Sequence, residues 1–108
     1  MKNFDFSYTK NNYKNKIYFR LHFDRNYKNY YMLKIKNISG GEDYNNSQEI
    51  FEILSTYCGI EVDELIKYLI NNFTFTFHLN KLCFLESECD KIIDWLESFK
   101  IMNKLMEE

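Results

Sequence analysis

A chain of 108 residues, 45% apolar and 19% aromatic, can bury one core and is too apolar to remain disordered. It has no run of about 18 apolar residues and no apolar h-region at its start, so neither a membrane span nor a secretion signal is expected, and a cytoplasmic location is. Three cysteines, at 58, 83 and 89, make no even disulfide framework and fit reduced thiols.

The net charge of −2 conceals a split by position. Residues 1–41 carry nine Lys or Arg against Asp5 and Asp24, a balance of +7, while residues 42–108 carry five Lys against fourteen acids, a balance of −9. Such a division points to two surfaces with different partners rather than to a fold. Asn, Lys, Ile, Tyr and Phe supply more than half of the chain, and Ala and Pro are absent. AT-rich codons specify the first group and GC-rich codons the second, which suggests an AT-rich bacterium, or a phage or mobile element living in one.

In chain order, Phe4, Phe6 and Tyr8 alternate with Asn3, Asp5 and Ser7, the period of a half-buried strand. From Ile17 to Asp24 the pattern repeats, with Ile17, Phe19, Leu21 and Phe23 on one side and Tyr18, Arg20, His22 and Asp24 on the other. A turn over residues 25–29 leads to Tyr31, Leu33 and Ile35 against Met32, Lys34 and Lys36. Residues 1–38 therefore read as a basic, three-stranded antiparallel meander with one apolar face. A Gly-rich polar break over 39–46 coincides with the change in charge.

Residues 47–72 read as an αα-hairpin. Ser47 is the expected N-cap, Ile50, Phe51, Ile53, Leu54 and Tyr57 the apolar stripe, and Gly59 the stop. The second helix, 61–72, is expected to bury Val62, Leu65, Ile66, Leu69 and Ile70. Residues 73–85 form a strand region, with Phe73, Phe75, Phe77 and Leu79 alternating against Thr74, Thr76 and His78, and Lys81 to Leu85 as a short additional strand. A C-terminal helix over 86–106 buries Cys89, Ile92, Ile93, Leu96, Phe99 and Met106, flanked by Trp95 and Met102. The expected fold is one α+β domain: an antiparallel sheet of about four strands, the meander plus one later strand, packed against the αα-hairpin and the long C-terminal helix.

Residues 49–72 have the cadence of a DNA-reading helix-turn-helix, but the second helix opens with Glu61, Asp63 and Glu64, which would repel phosphates. A structural hairpin explains the same spacing. On the meander, Tyr18, Arg20, His22, Lys34 and Lys36 share one face, and the loops add Tyr13, Lys14, Lys16, Arg25, Tyr27, Lys28 and Tyr30. Cations interleaved with rings are what single-strand binders use, although edge lysines also simply keep a sheet soluble.

On the last helix, Glu86, Asp90, Asp94 and Glu97 fall four, four and three apart, a continuous carboxylate row. Neighbours in such a row stand about 5–6 Å apart, near the phosphate spacing of a nucleic-acid strand. His78, Cys83 and Cys89 lack the Cys-x2-Cys spacing of structural zinc sites, so no metal and no cofactor is expected. The trio Arg20, His22 and Asp24 is the one catalytic candidate, and the strand Leu33 to Lys36 offers it no second carboxylate.

These readings point to a small, non-enzymatic, stoichiometric inhibitor or regulator of phage or mobile-element type, acting on a host macromolecular machine. Its partner is expected to be a nucleic-acid-binding host effector protein, as for an anti-CRISPR or other anti-defence protein. Glu86, Asp90, Asp94 and Glu97, with Glu61, Asp63 and Glu64, are the expected protein-binding residues, acting as a nucleic-acid mimic. The alternative is a nucleic-acid-binding module built on Tyr18, Arg20, His22, Lys34 and Lys36. The opposed charges also permit homo-oligomers.

Overall fold

A computed structural model describes residues 2–9 and 16–107, the side chains of 102–107 excepted. Among these residues nine elements follow one another: β1 (Phe4–Thr9), β2 (Lys16–Tyr27), β3 (Tyr30–Asn37), β4 (Asp43–Tyr44), α1 (Ser47–Cys58), α2 (Val62–Asn72), β5 (Phe75–His78), β6 (Lys81–Leu85) and α3 (Glu86–Glu107). The fold is α+β. All strands join one six-stranded antiparallel sheet in the order β1-β2-β3-β6-β5, with β4 attached to β3.

The meander pairs as its alternation requires, Phe6 opposite Phe19 and Leu21 opposite Ile35, so the apolar residues of three strands fall on one face. There Phe4, Phe6, Phe19, Leu21, Leu33, Ile35, Leu82 and Phe84 meet Ile50, Phe51, Leu54, Leu65, Leu69, Ile92, Ile93 and Leu96 from the three helices. Phe6 and Tyr8 each stack on Phe19 at 5.3 Å, a preferred offset geometry that adds to simple burial. Tyr57 is buried with its hydroxyl donating to the Leu96 carbonyl at 3.3 Å, which joins α1 to α3.

Local chemistry sets the helix ends. Asn46, rather than Ser47, caps α1: its Oδ1 accepts from the Gln48 N–H at 2.9 Å. Ser47 is instead the first helical residue, and its N–H and hydroxyl both donate to the Asn80 carbonyl. Gly59 stops α1 at φ 70°, a left-handed conformation that suits glycine, and its N–H closes on Ser55 at 2.9 Å.

The sheet has more strands than the alternation indicates. Lys81–Leu85 forms β6, which inserts between β3 and β5, and the polar break contributes the two-residue β4. No alternation is visible between 39 and 46, because β4 is only two residues long, Tyr44 pairing with Ile35 and Asp43 with Lys36. The turn expected over 25–29 is shorter: β2 continues through a bulge to Tyr27, which pairs with Tyr30.

Three residues expected inside are exposed. Ile70 lies about 100° around the helix from Leu69, just beyond the narrow stripe that α2 buries. Phe77 is 54% exposed because β5 is the last strand of the sheet, and Leu79 is 78% exposed at the tip of the β5–β6 turn. Conversely Met32 and Cys83, cross-strand partners on the face away from the helices, are buried without belonging to the main core. Met102 and Met106 have side chains outside the described set.

Candidate functional site

The same alternation that sends Phe19 and Leu21 into the core sends Tyr18, Arg20, His22, Lys34 and Lys36 to the opposite face of the sheet. Arg20 lies across from Lys36 and His22 from Lys34, so the five residues are brought together. Acids thread between them. Arg20 holds Asp5 in a two-pronged contact, Nε to Oδ1 at 2.7 Å and Nη2 to Oδ2 at 3.0 Å, and the guanidinium keeps the Asp5 carboxyl below its usual value. Lys34 Nζ lies 3.2 Å from Asp24 and 3.8 Å from Asp43, and His22 Nε2 lies 3.8 Å from Asp24. The side chains of Lys34 and His22 are only 20% and 24% exposed, so these groups are engaged with their own sheet.

Asp43 is the residue that sequence reasoning misses. It supplies the second carboxylate that β3 lacks, but from β4, where it sits opposite Lys36 in register. Nothing in the polar break signals that pairing. The trio Arg20, His22 and Asp24 shares the face, with Arg20 turned to Asp5 and His22 toward Asp24. Among the described residues, Lys36 and Arg25 carry no ion pair, and both are exposed. Tyr18 and Ile38 flank a shallow groove of about 380 Å³ that Asp5, Ser7 and Lys100 complete. At the far end of the face Tyr27 stacks on Tyr30 at 5.7 Å and lies 5.2 Å from His78. Lys16 opens β2 and Lys28 takes φ 50° in the following turn, while Tyr13 and Lys14 lie outside the described residues.

The acidic row is differently placed. Helix α3 buries Cys89, Ile92, Ile93 and Leu96, which turns Glu86, Asp90, Asp94 and Glu97 to solvent, and all four are exposed. Asp90 accepts from the Lys2 backbone N–H at 3.4 Å, and Asp94 lies 3.6 Å from the Lys2 ammonium. Glu86 and Glu97 have no ion pair among the described residues. Glu88 stands off the row, its carboxylate accepting from the Thr74 N–H at 2.6 Å. Glu61, Asp63 and Glu64 are exposed around the start of α2, where the helix dipole favours acids whether or not they bind anything. The two helices meet through Tyr68, which stacks on Trp95 at 4.4 Å.

His78, Cys83 and Cys89 are not brought together. Cys83 accepts from the Asn26 amide on the outer face of the sheet, whereas Cys89 lies in the core on the other side. Among the described residues no group of three His, Cys, Asp or Glu is placed to hold a metal ion. Burial pushes the Cys58 and Cys89 thiols up to about 12, and raises Cys83 despite the Asn26 hydrogen bond that opposes the shift. A cleft of about 200 Å³ opens between α1 and the ends of β1 and β2, with Tyr8, Tyr44, Glu49 and Glu52 on its walls. Among the described residues no helix is long and apolar enough to cross a membrane.

No protein-family model, no curated protein and no solved structure matches this chain.

Proposed function

We propose that the protein is a small, non-enzymatic inhibitor or regulator that acts by stoichiometric binding, presenting the α3 carboxylates to a basic, nucleic-acid-binding surface of a host machine. One observation carries this reading: two central cations of the sheet, Arg20 and Lys34, are committed to acids of the same sheet, whereas the helix acids are largely left over. Arg20 is bound by Asp5 and Lys34 by Asp24 and Asp43, but Glu86 and Glu97 have no ion partner among the described residues. Among the described residues Asp90 and Asp94 meet only Lys2, through an exposed contact of the kind that contributes little and exchanges readily with solvent.

A row of carboxylates spaced like phosphates would enter a groove lined with Lys and Arg, gaining on-rate and register from charge complementarity. The partner would lose access to its nucleic acid by competition. A phage or mobile-element origin and an anti-defence role, anti-CRISPR-like in its logic, fit a composition rich in Asn, Lys, Ile, Tyr and Phe, residues that AT-rich codons specify. Glu61, Asp63 and Glu64 would extend the same negative field from α2. The alternative, a nucleic-acid-binding sheet, is left with Tyr18, Lys36 and Arg25, since Arg20 and Lys34 would have to abandon carboxylates first.

The test is retention of a nucleic-acid-binding protein from host extract by the immobilised chain, followed by elution with added DNA or RNA. Retention that is lost on elution with nucleic acid, and in an E86K/D90K/D94K/E97K variant, is the expected result. Retention indifferent to both would reject the mimic. Direct, saturable binding of labelled DNA or RNA that weakens linearly with log salt would move the function to the sheet.

A further inference from the structure

The two strands at the ends of the order, β1 and β5, are treated differently. On β1, the Lys100 ammonium reaches over from α3 and donates to the Asp5 carbonyl at 2.9 Å, so a cation lies across the edge where another strand would dock. Such blocking by lysine is a common protection of exposed strands. On β5, the other terminal strand, no residue from Phe75 to His78 bonds to backbone beyond β6 among the described residues. Its segment Phe73 to Leu79, FTFTFHL, has no acid, Lys, Arg, Pro or Gly, the composition of a strand prone to pair with another chain.

The edge is also held ready. Leu79 and Asn80 make the β5–β6 turn with φ of 52° and 64°, the left-handed geometry that matches hairpin twist but that leucine rarely adopts. Two hydrogen bonds from Ser47 to the Asn80 carbonyl anchor that turn to the start of α1. The result is an apolar side chain fixed in solvent at the end of an open edge, with Phe77 beside it.

We infer that β5 is the interface for a second copy of this chain, paired edge to edge about a two-fold axis. The occupant follows from charge and from availability. A strip without charged residues can face its own copy with no like charges opposed, and Thr and Phe across strands are favourable pairs. A nucleic acid or a charged tail would find no counter-charge on it. An adhesive edge on a folded domain needs a cover whenever the domain is present, and its own copy is always at hand. Closure follows from the two-fold axis: pairing β5 with β5 uses the same edge of both copies, so association through it stops at two instead of running on as a fibre.

Sedimentation equilibrium of the wild-type chain at micromolar concentrations tests this, with an expected mass twice the 13.3 kDa monomer. Phe77→Lys and Leu79→Lys should each weaken self-association at least tenfold while far-UV circular dichroism stays unchanged. Leu79→Lys guards the test, because a side chain so exposed supports nothing inside and its replacement should fold even if Phe77→Lys does not. Ile101→Lys, at an equally exposed apolar position on α3, should dimerise as the wild type does. A wild-type chain that remains monomeric overturns the inference. A dimer that survives Leu79→Lys and folded Phe77→Lys overturns the assignment to β5.

Discussion

Phe84 and Phe77 sit on neighbouring strands of the same sheet, and truncating each to alanine should separate what holds the fold from what the fold presents. Phe84 is fully buried on β6 and has rings on three sides, Phe23 at 6.3 Å, Phe73 at 6.4 Å and Phe75 at 5.6 Å. Phe84→Ala removes the whole ring and leaves a cavity that β3 and β5 cannot both close, a loss of about 3–5 kcal/mol. With an unfolding entropy of about 2.1 cal/mol/K per residue, that loss lowers Tm by roughly 13–22 °C. It is also a large share of the total stability of about 5–15 kcal/mol typical of a domain. Phe77→Ala takes a ring already half in water and should cost the isolated chain about 1 kcal/mol or less. Urea unfolding followed by circular dichroism, at a concentration low enough to keep the chain monomeric, measures both. Equal losses for the two variants would refute the placement of Phe84 at the centre and Phe77 at the margin.

The Asp5 carboxyl titrates below its ordinary value, chiefly because Arg20 hydrogen-bonds its charged form. Stability from this group is therefore present above the unfolded carboxyl pKa of about 3.9 and is lost as pH falls through the lower folded value. Asp5→Asn should flatten the acid limb of a stability-against-pH curve slightly, since both partners are about half exposed, and leave neutral pH nearly unchanged. Thermal melts across the acid range check the sign, and a steeper acid limb in the variant would contradict it. The three thiols should resist a disulfide reagent at mildly alkaline pH in the folded chain, because burial raises all of them and takes Cys58 and Cys89 to about 12. All three should react in guanidinium, and rapid labelling of the folded protein would show that one is open to solvent.

Alternation and helical spacing made the meander, α1, α2 and α3 legible, because each buries one face and burial is what writes a period into a sequence. Sheet order was not legible. The insertion of β6 between β3 and β5 depends on long-range pairing, Tyr31 with Phe84 and Met32 with Cys83, for which a single sequence carries no sign. Edge position escaped for a related reason: Phe73, Phe75 and Phe77 alternate identically, yet the half-buried Phe73 and Phe75 pack against the core and Phe77 does not, and among the described residues no strand pairs with the outer side of β5. The charged residues of the sheet were assigned to the right face from their parity, but their partners were not. Asp5 and Asp43 lie 15 residues from Arg20 and nine from Lys34, on strands whose register decides the pairing.

That distribution of charge bears on how the two proposed surfaces would work together. The α3 row runs past Asp90 and Asp94 toward β1, where Lys2 and Lys100 tie helix to strand, and β5 closes the opposite side of the sheet. Pairing through β5 would therefore leave the Asp90–Asp94 stretch of both copies open and give one particle two acidic rows. A partner with repeated basic grooves would then be held with an effective concentration for the second contact that a monomer lacks, so modest charge pairs would add up to tight binding. The consequence is separable in experiment: Leu79→Lys should lower apparent affinity for an immobilised partner without touching the salt dependence of each contact. Reversal of the row should abolish binding in monomer and dimer alike, because charge supplies the contact and the second copy only multiplies it.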